Sequence, residues 1–148
     1  HHKEDASAQA RLLKCLMKAR TMEVFIDSDD LQDLDTLFDT VRCRVQHLIV
    51  YLTKDTLTRP WCSGEIVTAH RNKKKTIVVL TDGPTGFSCL TDGEMDDLSS
   101  YIDGGGRVLG KYLISIPEVK IAYQWLFSEQ VPSLRLPDMV RGRQRFEV

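Results

Sequence analysis

A chain of 148 residues with 42% apolar and 28% charged content is long enough to bury a core without staples and has the balance of a soluble globular protein. Its formal net charge of −1 excludes a global basic field, so no nucleic acid partner is expected and an anionic ligand has to be held by local groups. No apolar run reaches membrane-spanning length, and the opening His1-His2-Lys3-Glu4-Asp5 is not a secretory leader.

In chain order, Ala6 to Lys18 predicts a helix, because Ala6, Ala10, Leu13 and Met17 recur at helical spacing with Lys and Arg on the other side. Val24-Phe25-Ile26 reads as a short buried strand ended by the acidic turn Asp27-Ser28-Asp29-Asp30. A second amphipathic helix follows through Leu34, Leu37, Phe38, Val41 and Val45. His47 to Leu52 is almost wholly apolar and predicts a strand covered on both faces. Pro60 suits the first turn of a helix, which runs to about Asn72 and ends on Lys73-Lys74-Lys75, a solvated helix end. Thr76 to Leu80 is the next buried strand.

Asp82 to Gly93 has loop composition. Glu94 to Ile102 predicts a weak helix, Asp103 to Gly106 a flexible link, Tyr112 to Ile116 a last strand and Glu118 to Ser128 a last helix. Short, β-branched strands alternating with helices predict an α/β fold: a flavodoxin-like, doubly wound parallel sheet with helices on both faces. Because the chain opens on a helix, the strand expected ahead of it is missing from the fragment. Residues 1–131 form the domain, and residues 132–148, with their prolines and four arginines, form a tail or docking segment.

Several side-chain groups invite chemistry. Cys15, Cys43, Cys62 and Cys89 form no CxxC pair, which excludes zinc and thioredoxin-like sites and leaves reduced thiols, mostly small core residues of a cytoplasmic protein. The acidic turn lacks the Gly and Glu positions of a calcium loop. Its carboxylates complement the next helix N-terminus, or one of them binds ribose hydroxyls. No metal site is predicted. Gly104, Gly106 and Gly110 imitate a dinucleotide fingerprint with wrong spacing. His47 and His70 lack a nucleophile at recognisable spacing. The densest cluster is Arg59-Pro60-Trp61-Cys62-Ser63-Gly64-Glu65-Ile66. Trp61 and Glu65 share one helix face, near the sheet edge where α/β folds bind ligands.

Val24-Phe25-Ile26-Asp27, the strand Leu48 to Leu52, and then Thr53, Leu57 and Trp61-Cys62-Ser63-Gly64-Glu65-Ile66 together resemble a Toll/interleukin-1 receptor (TIR) domain. His1-His2-Lys3 is similar to the residues that follow that family's first strand. The acidic loop without Gly departs from many relatives. The resemblance implies one of two functions in immune or stress signalling. One is cleavage of NAD+ as substrate, with no cofactor, giving nicotinamide and linear or cyclic ADP-ribose; the other is a non-catalytic scaffold that acts by TIR–TIR assembly. It implies Glu65 as the catalytic residue and Ser28, Asp29, Asp30 and Leu31 as the assembly loop. On this resemblance Asp27 is expected to face the pocket and His1, His2 and Lys3 to lie near it, with Lys3 and the helix start holding phosphate. Trp61 walls the site or belongs to the core. The chemistry suits one carboxylate: nicotinamide leaves as a neutral base, so no general acid is needed, and the carboxylate steadies an oxocarbenium-like state.

Overall fold

The computed structural model describes residues 3–30, 33–82 and 86–136, with no side-chain description at 3–5 and 28. Three strands form one parallel sheet in the order β1 (His47–Leu52), β2 (Lys75–Thr81), β3 (Ser133–Leu136). His47 lies opposite Lys75 and Val78 opposite Ser133. Helix α1 (Lys3–Lys18) precedes the sheet. The short α2 (Asp27–Asp30) and α3 (Leu37–Cys43) lead into β1, and α4 (Pro60–Arg71) crosses from β1 to β2. Short helices α5 (Asp92–Asp96), α6 (Leu98–Tyr101) and α7 (Arg107–Gly110), then the longer α8 (Ile116–Leu126), lead into β3.

Strand alternation divides the core between two layers. Val50, Leu52 and Val78 pack with Phe38 of α3, Ile66 of α4 and Val119 of α8. Tyr51 and Val79 point the other way, onto Ala6 of α1. The sheet therefore has helices on both faces, in keeping with the flavodoxin-like α/β arrangement predicted from the sequence. A buried hydroxyl network fastens the thicker layer. Tyr123 Oη on α8 lies 2.7 Å from the Leu57 carbonyl and 2.7 Å from Ser63 Oγ on α4.

Four expectations are corrected. Val24–Ile26 runs into α2 without a ladder partner. In the flavodoxin order 2-1-3-4-5 the second strand pairs only with the first, and among the described residues no strand precedes α1. Tyr112–Ile116 is a turn, not a strand: Ser115 and Glu118 form a capping box and Pro117 sits in the first turn, so this stretch starts α8. The sheet extends past the boundary expected after Val131, because Ser133–Leu136 pairs with β2; residues 137–148 lie outside the described residues. All four cysteines are free, but only Cys62 is buried; Cys15, Cys43 and Cys89 are exposed, since their places on α1, at the end of α3 and in the loop before α5 turn them from the core.

The glycine run is a turn with no fingerprint helix after a strand. Gly104, Gly105 and Gly106 have φ of 67°, 62° and 69°, the left-handed region that glycine enters without a Cβ clash. Among the described residues, no helix is long and apolar enough to cross a membrane.

Candidate functional site

The site forms around the first half of α4. Arg59 precedes it in extended conformation, and Pro60 takes the first turn, where its missing N–H costs nothing. Arg59 Nη1 donates to Asp103 Oδ2 at 3.1 Å, tying this start to the glycine turn. One turn on, Gly64 brings the helix against α3: a Cβ there would stand 2.1 Å from Phe38 Cζ. The ring of Phe38 lies 5.6 Å from Trp61 and 4.9 Å, edge-on, from Tyr112, and Trp61 lies 5.6 Å from Tyr112. Trp61 is thus half-buried in an aromatic trio that packs on the main core. The Tyr112 hydroxyl donates to Asp35, and that bond pushes its pKa up to about 12.

Glu65 follows Gly64. Its side chain keeps a narrow window to solvent, yet enough protein surrounds the carboxyl that burial pushes its pKa up to about 7, with the charge of Asp27 adding to the rise. Asp27, half-buried at the start of α2, also acts on Cys62, whose thiol burial pushes up to about 11; a thiol so held is a poor nucleophile. The charge of Asp27 is thus felt by both Cys62 and Glu65, which lie on one helix with Trp61, one turn before Glu65. The chemistry available is that of a carboxyl poised near neutrality within the field of a second carboxylate: proton exchange, or stabilisation of a cation.

The acidic turn differs from the expected loop. Asp29 and Asp30 belong to α2 and pair back onto α1 rather than facing the next helix. Arg11 Nη2 donates to Asp29 Oδ1 at 2.6 Å, Lys14 pairs with Asp30, and Asp30 Oδ2 accepts the Ile26 N–H at 2.7 Å. The basic face of α1 is close enough to capture them first. Lys3 opens α1. His1, His2 and Leu31 lie outside the described residues, as do the side chains of Lys3 and Ser28. Among the described residues, no group of three or more His, Cys, Asp and Glu side chains is placed to hold a metal ion. Phe38 and Tyr112 are the parts of this site that sequence reasoning missed, and Asp35 is legible there only as one carboxylate of the acidic stretch. Phe38 was legible only as an apolar helix position, and nothing local to Tyr112 distinguishes it from the other tyrosines.

In comparisons with known proteins, no family model, no curated protein and no solved structure matches the chain.

Proposed function

We propose that the chain is a cytoplasmic TIR-type NAD+ nucleosidase in immune or stress signalling, with Glu65 as its catalytic carboxylate. The observation that carries the reading is Glu65 itself: a desolvated carboxyl with its pKa pushed up to about 7, within the field of Asp27 and one turn from Trp61. Such a group is costly to keep for stability alone and is the kind found at reactive sites. In the reaction the C–N bond between ribose and nicotinamide breaks, and its electron pair leaves with nicotinamide, which becomes neutral. The ribosyl carbon becomes cationic and is captured by water, releasing a proton and ADP-ribose, or by the adenine of the same molecule, giving a cyclic product. Glu65 steadies the cation electrostatically. The positive nicotinamide riboside favours the ionised form of a nearby carboxyl, so substrate binding itself prepares Glu65. Asp27 orients the ribose hydroxyls. Self-association through α2 raises activity faster than linearly with protein concentration.

The test is incubation with NAD+ and chromatographic separation of nicotinamide from the nucleotide products. Glu65→Gln keeps the size and removes the charge, and lowers kcat by on the order of a hundredfold with little change in KM. Equal rates for the variant and the wild type would remove Glu65 from the reaction. Absence of nicotinamide release by the wild type, even when artificially clustered, leaves the scaffold that works by TIR–TIR assembly.

A further inference from the structure

Lys73, Lys74 and Lys75 make the turn from α4 into β2, where the strands begin. Their ordinary role would be to complement the end of a helix. The carbonyls there already have partners. Lys74 N–H donates to Ala69 at 2.9 Å, Lys73 N–H to His70 at 3.1 Å, and Asn72 Nδ2 to Thr68 at 2.8 Å. The first two bonds define a Schellman turn, with Lys73 in the position that glycine usually fills. Lys73 accordingly has φ of 50°, a strained conformation for a residue with a Cβ. Among the described residues, none of the three ammonium groups makes an ion pair or hydrogen bond. Lys73 thus occupies a strained backbone position while its ammonium group holds nothing among the described residues.

All three lysines line a cavity of about 970 Å3, together with His70 and Trp125. Arg71 is there too, but Glu118 occupies it: Arg71 Nε donates to Glu118 Oε1 at 3.1 Å. The Ser115 N–H and Arg71 hold the Glu118 carboxyl down to about 2, so this pair stays charged and cancels. Among the described residues three unpaired cations remain, in a chain whose formal net charge is −1. Trp125 is half-buried with its ring 4.9 Å from that of His70, and the exposed Ile121 adds apolar surface beside it.

We propose that this groove binds a nucleotide, its phosphates held by Lys73, Lys74 and Lys75 and its base laid against Trp125. The volume lies in the range of small-ligand sites. Lysines serve phosphate as flexible point charges, and any base offers a π-face to an aromatic ring. One aromatic platform suits one base, whereas a nucleic acid strand calls for a succession of them. Asp27, Trp61 and Glu65 are not among the lining residues, so the groove stands apart from Glu65 and does not depend on its chemistry.

Calorimetric titration of the chain with ATP tests this. Saturable binding is expected, weakening with added salt. Lys73→Gly relieves the strained turn, so it raises the unfolding midpoint while weakening ATP binding several-fold, a pair of effects that a purely structural lysine would not give. Lys73→Gln with Lys74→Gln weakens binding by on the order of tenfold or more. Trp125→Phe keeps a ring and holds affinity within about threefold, and Trp125→Leu loses more than that. Inorganic triphosphate binds more weakly than ATP and is indifferent to Trp125. The proposal is overturned by no saturable binding at about 1 mM ATP, by affinity unchanged in the lysine variants, or by triphosphate binding as well as ATP. Loss of ATP binding in Glu65→Gln would move the ligand to the neighbourhood of Glu65 and also overturn it. Single-stranded DNA held far more tightly than ATP by the same lysines would replace the nucleotide with a nucleic acid.

Discussion

Replacing Gly64 by alanine adds one methyl group at the closest approach of α3 and α4. In a helix interior alone the change stabilises by about 1 kcal/mol, since glycine is the poorer helix former. Here the new carbon would stand 2.1 Å from Phe38 Cζ and 2.3 Å from Cε1, far inside contact distance. The ring has little room to retreat, because Trp61 lies 5.6 Å and Tyr112 4.9 Å from its centre. Forcing a methyl group into a packed core costs about 1–3 kcal/mol, and two contacts this short place Gly64→Ala at or above the upper end. The net expectation is a loss of about 2 kcal/mol, read as a lowered urea midpoint with an unchanged slope. Phe38→Leu is destabilising by itself, but it opens the space the methyl needs, so the double variant should be more stable than the sum of the two single changes. A Gly64→Ala protein as stable as the wild type, or strict additivity in the cycle, would refute the packing argument.

Glu65 gives a prediction with a definite sign. Its pKa rises from the ordinary carboxyl value of 4.5 to about 7 in the folded protein, so between these values the native state holds a proton that the unfolded chain has lost, and stability falls as pH rises from about 4.5 to about 7. Glu65→Gln escapes the penalty: with a discount for the solvent window, it should be about 2 kcal/mol more stable than the wild type at about pH 8 and nearly equal at about pH 4. Urea midpoints at the two pH values check this, and a pH-independent gap would refute it. If Glu65 is catalytic, kcat/KM for NAD+ should also rise through about pH 7 and then level off, reporting ionisation of the free protein; a flat profile counts against it. Tyr123→Phe removes the hydroxyl shared by the Leu57 carbonyl and Ser63 and should cost about 1–3 kcal/mol by denaturant melting, whereas a loss within error would mean that these groups find other partners.

The parts of the fold that read correctly from sequence are those where one local rule acts unopposed. His47 to Leu52 and Thr76 to Leu80 are apolar runs of strand length and became adjacent parallel strands. Pro60 marked the start of α4 to the residue. Val24–Ile26 and Tyr112–Ile116 have similar local composition but did not become strands. A strand needs a ladder neighbour, which no window of sequence contains, and in the second stretch a Ser–Glu capping box outweighed β-branched content. Ser133–Leu136, amid prolines and arginines, reads as tail yet pairs with β2, because an edge strand draws its stability from a distant partner. The candidate site divides in the same way. Trp61 and Glu65 were visible as an i, i+4 pair. The effect of Asp27 on Glu65 and the closing of Phe38 and Tyr112 around Trp61 are contacts made only by folding. The lysine run was legible as charge; the strained turn and the tryptophan beside it were not.

The turn at Gly104–Gly106 is a short piece of mirror-image chain. Its three φ angles, 67°, 62° and 69°, are close to those that a polymer of D-residues would choose for its own helix. A ribosome cannot supply D-residues, so the sequence uses the one residue without handedness, three times in a row. The arrangement reverses the backbone between α6 and α7 without placing a side chain in the bend, and Arg59 fastens it through Asp103. Evolution at these positions is consequently a matter of stereochemistry more than of polarity: any encoded replacement brings a chiral centre of the wrong hand. At Gly106 it also brings a Cβ 2.7 Å from Ile116 Cδ1. Variation near the start of α4, to which Arg59 ties this bend, is thereby better tolerated in the residues on either side of the glycines.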